Sequence, residues 1–446
     1  MIRPIRGPRR AYRGFTLMEL LVAILAGTLV AMAAFGFAKA STRNFSQEAR
    51  LAAAGSAVTQ GFRRLTNDIQ RAGYQSTANI RRDYSFKRTG VCEDPVTSPA
   101  GIAALQSVMI EAHGTYAGTG TKSATSNNVV ADRLTLTGMY SLNDLLDLKT
   151  IQTAGGVITV NLDPETRAFR EFMGAVPTAA RLAEAFMPGR IARIYDANSG
   201  FSHYGVVAGT NLGPGVAQVL LSAASRIQIK GAGFVGATRE GGESCGLDQT
   251  GAGNRFIGVV NKYRYEVRDL RNDAAYSLMY PATIDLGLGA TVTTGAQESG
   301  RMELVRTELD VVGAQLGANE LIAEYAVRLR FGGTVDTAAA PAANSDLRYQ
   351  PNITRLDIGN GAFYPYAANI ANGGALSPGR IKALGVMFAV RSRDFDRSTD
   401  LPPPVTPQNF PGGIFRYEYP LGSGQFARVR TLQADIAMSN QLAEFR

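Results

Sequence analysis

Few residues in this 446-residue chain are of the types that carry out catalysis, and their spacing does not favour it. The two histidines, His113 and His203, are far apart, and neither has a cysteine or carboxylate cluster beside it at metal-ligand spacing. Residues 231–236 have the spacing G-x-G-x-x-G, but the residues after them are a poor start for the helix that must hold a nucleotide pyrophosphate. Residues 196–200 predict a turn rather than a calcium site. We therefore predict a protein that is not an enzyme and has no cofactor or bound metal.

Glu19 is the residue whose position most needs a chemical explanation. It is the only charged residue in the apolar run from Phe15 to Ala38. As a helix this run would be about 36 Å long, enough to cross a bilayer core of about 30 Å. A carboxylate inside such a span costs roughly 2.5–3.5 kcal/mol, and the run contains no Lys, Arg or His to pair with it. A free amine at Phe15, made by cutting after Gly14, would lie on the same helical face at i and i+4.

Five arginines precede the apolar run, and the segment 1–14 that holds them contains no acidic residue. The positive-inside rule keeps such a segment in the cytoplasm and sends the C-terminal mass outward. Removing these five charges from the net charge of +9 leaves +4, which does not predict a nucleic-acid-binding protein of this length. We therefore expect no nucleic acid among the partners.

The run G-F-T-L-M-E-L at residues 14–20 resembles the cleavage signal of type IV prepilins and type II secretion pseudopilins. In that family a prepilin peptidase cuts between the glycine and the phenylalanine and methylates the new amine. The resemblance implies that residues 1–14 are a removed leader, with Gly14 before the cut, Phe15 as the methylated N-terminus and Glu19 as the assembly carboxylate. Two alternatives are an ordinary secretory signal cut at residues 38–40 and a plain single-pass anchor. A secretory signal has a shorter apolar region and no reason to carry Glu19.

The helical pattern continues beyond the membrane, because no proline interrupts residues 9–94. Apolar residues recur there on one helical face: Leu51, Val58, Phe62, Leu65 and Ile69. The polar residues between them, Asp68 included, are expected on the surface, and Gly73 is a natural C-cap. We predict one helix over residues 15–72, transmembrane over 15–38 and amphipathic beyond, where it covers a soluble head.

Residues 73–446 predict a β-rich extracytoplasmic head, because short segments rich in β-branched and aromatic residues alternate with Gly, Asn and Pro. A helix is expected at residues 179–186, and long loops near 332–352 and 402–413. The fold class is α+β and pilin-like, a long helix packed on an enlarged antiparallel sheet. Strands are predicted at residues 133–137, 157–162, 190–195, 203–207, 218–221, 226–230, 256–267, 276–280, 301–309, 321–331, 381–392 and 427–434.

Several segments resemble the PilW family of large minor pilins: D-I-Q-R-A-G-Y at 68–74, R-M-E-L-V-R at 301–306, and residues 321–333 and 381–393. The resemblance implies a minor pilin that primes or caps type IV pilus assembly at the filament tip. Its implied partners are the prepilin peptidase, other minor pilins, the major pilin and a PilY-type tip adhesin. Its implied location is the bacterial inner membrane, with a periplasmic head, and then the pilus at the cell surface. The alternatives are a type II secretion pseudopilin, which shares this N-terminus, and a pilus-borne surface module that binds DNA or a host ligand.

Cys92 and Cys245 are the two cysteines, and both follow the membrane segment. They lie on the side that we infer to be oxidising, so we predict a disulfide between them. A closure this long would stabilise the fold by roughly 4–5 kcal/mol in the loop-entropy picture, less any strain. The alternative is two buried free thiols.

Overall fold

The computed structural model describes residues 16–81, 83, 100–113, 129–142, 144–154, 156–222, 225, 227, 229–230, 246–248, 254–270, 273–279, 283–285, 291–293, 301–338, 352–368, 376–393, 414–418 and 426–440. The chain divides into two compact units, Met1–Ala53 and Ala54–Arg446. One helix, α1 (Leu17–Arg71), runs through both units. It begins two residues after the predicted start and ends one residue before the predicted end.

The part of α1 within the second unit buries its apolar side, as the spacing predicts. Val58, Leu65 and Ile69 are buried in one core cluster. The helix ends before Gly73, whose left-handed backbone (φ +77°) costs glycine little. The prediction that Asp68 lies on the surface is wrong, because this carboxylate is buried against an arginine of the head.

The head is built mainly from strands, and its described residues also form four short helices: α2 (Ala100–Ala103), α3 (Arg167–Met173), α4 (Ala179–Ala185) and α5 (Tyr364–Ala368). The described strands are β1 (Val108–Glu111), β2 (Val130–Ala131), β3 (Arg133–Gly138), β4 (Leu146–Ala154), β5 (Val157–Leu162), β6 (Ile191–Asp196), β7 (Phe201–Gly213), β8 (Val216–Leu221), β9 (Ile229–Lys230), β10 (Leu247–Asp248), β11 (Arg255–Arg268), β12 (Thr283–Asp285), β13 (Thr291–Thr293), β14 (Glu303–Leu309), β15 (Gln315–Ala323), β16 (Ala326–Asp336), β17 (Ile353–Leu356), β18 (Ile381–Arg391), β19 (Ile414–Glu418) and β20 (Phe426–Ala437).

The long strand β11 is shared between an open antiparallel sheet and a closed barrel. Its C-terminal half pairs with β3 on one side and β14 on the other, which gives an antiparallel sheet in the order β1-β3-β11-β14-β15. Its N-terminal half pairs with β4 and β6. From β4 the pairing runs through β5, β8 and β7 to β6 and so returns to β11. These six strands form a closed antiparallel barrel.

A second sheet has the order β17-β16-β18-β20-β19, and β2 pairs with β16 in parallel. Its inner residues share one hydrophobic cluster with α1 and with the first sheet. The barrel has a cluster of its own, which α3 and α4 help to fill through Phe169, Met173 and Leu182. The structure therefore agrees with an N-terminal apolar helix followed by a large antiparallel β-rich body.

Of the predicted strand at residues 226–230, only Ile229–Lys230 is a described strand, and Ile227 lies outside it. Two other predicted strands differ from the structure. Residues 276–280 lie largely in a 3₁₀ helix, Ala274–Met279, that starts where the Asp273 carboxylate accepts the Ala275 N–H at 3.1 Å. Residues 321–331 divide into β15 and β16 at Tyr325, which has a left-handed backbone (φ +56°). A local side-chain bond and a backbone reversal thus override the β-forming composition of these segments.

The predicted loop over residues 332–352 is wrong at its start, because residues 332–336 complete β16. The two glycines there permit close packing rather than a turn. A Cβ on Gly332 would lie 2.7 Å from the backbone of Asp357, and one on Gly333 would lie 2.6 Å from the carbonyl oxygen of Ala383. Residues 339–351 of this loop, and the whole predicted loop at 402–413, lie outside the described residues.

Candidate functional site

The first turn of α1 holds the Glu19 carboxylate. Thr16 is the N-cap, because its carbonyl accepts the Leu20 N–H at 3.1 Å. Glu19 Oε2 accepts the Thr16 backbone N–H at 2.9 Å and the Thr16 hydroxyl at 3.0 Å. The Glu19 N–H donates to Thr16 Oγ1 at 3.3 Å. This reciprocal arrangement is a capping box, and it gives the carboxylate two donors in the uncut chain.

Thr16 is a partner of Glu19 that a search for cations alone does not find, because its hydroxyl and N–H are neutral donors. The spacing T-x-x-E at residues 16–19 is a recognised helix-start signal and would have revealed the hydroxyl partner. Glu19 therefore has hydrogen-bond donors before any cleavage, and the amine expected at Phe15 would add a charge rather than the first partner. Gly14 and Phe15 lie outside the described residues.

The segment of α1 that follows Glu19 is exposed and apolar. A stretch of 26 residues, Leu17–Thr42, is long and apolar enough to cross a membrane, and none of its most apolar window is buried. Its large side chains, such as Leu25, Met32 and Phe35, are more than half exposed. Apolar surface of this extent needs lipid or other apolar helices around it.

The other end of α1 is fixed to the head by a buried ion pair. Arg306 on β14 places its Nε 2.8 Å from the Asp68 carboxylate, and both side chains are less than a tenth exposed. The same carboxylate accepts the Tyr265 hydroxyl at 2.6 Å. The Arg306 guanidinium also contacts Glu320 at 2.7 Å and lies over the ring of Tyr263. The two sequence motifs at 68–74 and 301–306 thus meet in one cluster.

The residues after Asp68 bind the end of β3. Arg71 donates to the carbonyl of Met139 at 2.9 Å, and its guanidinium lies over the ring of Tyr140. The Gly73 N–H donates to the carbonyl of Thr137 at 2.8 Å. Tyr140 returns a bond to the helix, from its hydroxyl to the Asp68 carbonyl at 2.9 Å. The run R-A-G-Y therefore serves as an attachment that ends the helix and joins it to the sheet.

A cleft of about 740 Å³ lies between α3, α4 and the segment that joins β3 to β4. Arg190 lines it, but two of its guanidinium nitrogens already bond to Glu308, at 2.6 Å each. Asp144, Glu184 and Arg181 also line it, and the described residues of its lining include no His or Cys.

The remaining candidates for chemistry are dispersed. His203 lies within β7 opposite Ile194, as a strand residue should, and His113 follows β1. Residues 196–200 form the predicted turn, with the Gly200 N–H bonded to the Asp196 carbonyl at 2.8 Å. Over the part of the chain that the structure describes, no group of three or more His, Cys, Asp or Glu side chains could hold a metal ion. Cys92, Cys245 and residues 231–236 lie outside that part.

Comparison with known proteins identifies the N-terminal segment. A family model described as the prokaryotic N-terminal methylation motif matches residues 9–35, a range that includes Gly14, Phe15 and Glu19. No curated protein and no solved structure matches the chain. The motif and the exposed apolar helix together support a type IV pilin-like or pseudopilin protein that is processed by a prepilin peptidase, anchored in a membrane and assembled with other pilins.

Proposed function

We propose that this chain is a minor pilin of the PilW type, which primes or caps a type IV pilus at the filament tip. The observation that carries the proposal is the methylation motif at residues 9–35, placed at the start of an exposed 26-residue apolar helix. The size of the head supports a tip position, because it is far larger than a shaft subunit needs. The role is structural, without catalysis.

Assembly follows from the physics of the helix. The basic leader stays in the cytoplasm, and the head is exported across the inner membrane. After cutting at Gly14, the apolar segment moves from lipid to a bundle of neighbouring helices, where close packing replaces lipid contacts. Glu19 then meets the new amine of a neighbour or of its own chain. This charge pairing sets the register of the subunit, because an unpaired carboxylate in an apolar bundle is costly.

The proposal is tested by Glu19→Ala in cells that make the filament. We expect cutting to continue and the variant to be lost from sheared filaments. Thr28→Ala is the matched control, because its hydroxyl bonds only to the Leu25 carbonyl of the same helix among the contacts described. We expect that control to assemble normally. Normal assembly of Glu19→Ala would contradict the registry role.

A pseudopilin of type II secretion is the second candidate, because the same motif precedes such subunits. The proteins that co-purify with the mature chain decide between the two. The proposal expects the major pilin, other minor pilins and a PilY-type tip adhesin. Recovery of type II secretion components, with loss of exoprotein secretion and normal twitching in a deletion strain, would favour the pseudopilin.

A further inference from the structure

The barrel is inserted into a pair of neighbouring strands. β3 ends at Gly138, and the half of β11 that pairs with it begins at Asn261, the residue directly opposite. The Ser141 hydroxyl lies 2.9 Å from the Asn261 side-chain oxygen. The chain therefore leaves the first sheet and returns to it at adjacent points, with residues 142–260 between them. A short turn could join β3 to β11 without disturbing the sheet order.

The two parts of the head have separate hydrophobic cores. Among the described residues, every buried member of the barrel cluster except Met139 lies within residues 142–260. None of the described buried members of the cluster that packs against α1 lies in that range. A segment with its own core and chain ends that lie together is the usual anatomy of an inserted domain.

The contacts that attach α1 to the head lie outside the insertion. Asp68 is held by Arg306 and Tyr265, and Arg71 by Met139 and Tyr140, all of which fall before residue 142 or after residue 260. The insertion touches the rest of the head through other residues. They include the Arg190–Glu308 ion pair, a hydrogen bond of 2.6 Å from Arg193 to the Gln75 side chain, and the packing of Tyr74 and Met139 against the barrel core. A small cluster adds Ile191, Tyr204 and Val260 against Ile80, Ile102, Leu105 and Val311.

We infer that residues 142–260 form an inserted module whose role is separate from processing and assembly. The helix, its signal and its docking surface form one functional unit, and the barrel with its cleft forms another. Removal of the barrel leaves a pilin-like head that is still cut and still enters the filament. The inference rests on the proposed function, because it uses filament assembly as its readout, so the wild-type chain is measured beside every variant.

Two variants test the module: one deletes it, and the other disrupts its core in the full chain. In the first, residues 142–260 are replaced by Gly-Ser-Gly, with Glu308→Gln to avoid an unpaired buried carboxylate. This variant also carries Cys92→Ser, because the deletion removes Cys245, the predicted disulfide partner of Cys92. In the second, Val219→Asp places a charge in the barrel core of the full chain, where Val219 is fully buried. Leu134→Asp is the matched control, because Leu134 is equally buried but belongs to the core against α1.

We expect both module variants to have the mature N-terminus and to appear in sheared filaments at the wild-type level, with a lower melting temperature for the first. Limited proteolysis of Val219→Asp should cut within residues 142–260 and spare the rest of the head. Leu134→Asp should be absent from filaments. Presence of either module variant in filaments supports the inference. Absence of both, with the wild type present, overturns it. Absence of the wild type itself would instead contradict the proposed function.

Discussion

Arg306 on β14 places its guanidinium Nε 2.8 Å from the carboxylate of Asp68 on α1, with both side chains almost fully buried. The Tyr265 hydroxyl donates to the same carboxylate at 2.6 Å. Buried charges cost free energy unless they are paired and hydrogen-bonded, and here each has its partner. This cluster joins α1 to the sheet of the head, so its strength should govern how firmly the helix and the sheet are held together.

Asp68→Asn should lower the free energy of unfolding by about 3 kcal/mol, because it leaves the buried Arg306 without its buried carboxylate partner. Urea unfolding of the detergent-solubilised chain measures the change. Arg64→Gln is the control, since the Arg64–Glu320 pair is nearly half exposed on both sides and should contribute less than about 1 kcal/mol. Equal effects of the two substitutions would show that burial does not strengthen the Asp68 pair.

The stability of the head should fall in alkaline solution. Burial, and after it the Asp68 carboxylate, raises the pKa of Tyr265 well above its ordinary value of about 10. The folded protein therefore keeps this proton after the unfolded chain has lost it, so stability is lost as pH rises above about 10. Tyr265→Phe removes the titrating proton and should give a shallower decline in the free energy of unfolding above about pH 10. An unchanged slope would contradict this assignment.

Gly332→Ala should destabilise the head by about 1–3 kcal/mol, because the added methyl group meets the Asp357–Ile358 backbone at 2.7 Å. Gly209→Ala is the matched change on β7, where no atom lies within 4 Å of the added carbon. It should be neutral or slightly stabilising. The midpoints of chemical unfolding compare the two. A neutral Gly332→Ala would mean that β16 moves aside without cost.

Cys92 and Cys245 should form one disulfide in the exported protein. Intact mass after alkylation without reduction should show no added alkyl group, and alkylation after reduction should add two. Reduction should lower the free energy of unfolding by roughly 4–5 kcal/mol, less any strain, because the closed loop is long. Two alkyl groups added without reduction would instead show free thiols.

Local pattern predicts most of the elements, whereas their long-range pairing is seen only in the structure. The apolar spacing predicted that Val58, Leu65 and Ile69 face the core, and the strand at residues 157–162 has its predicted bounds. Local sequence does not encode that β11 is shared between a sheet and a closed barrel. Closure depends on pairs such as Phe256 with Tyr195, which lie far apart in the chain.

The burial and the partners of polar residues are the features that local sequence predicts least well. Helical periodicity puts Asp68 among the surface residues of α1, and its burial becomes favourable through Arg306 and Tyr265, which lie in distant parts of the sequence. Thr16 differs from Asp68, because its capping signal T-x-x-E is local and present in the sequence at residues 16–19.

The most direct measurement is the intact mass and N-terminal sequence of the chain isolated from cells that make its prepilin peptidase. The proposed function predicts a mature protein that begins at Phe15 and carries a methylated amine. A chain that retains residues 1–14, or one that begins at Ser41, would contradict it.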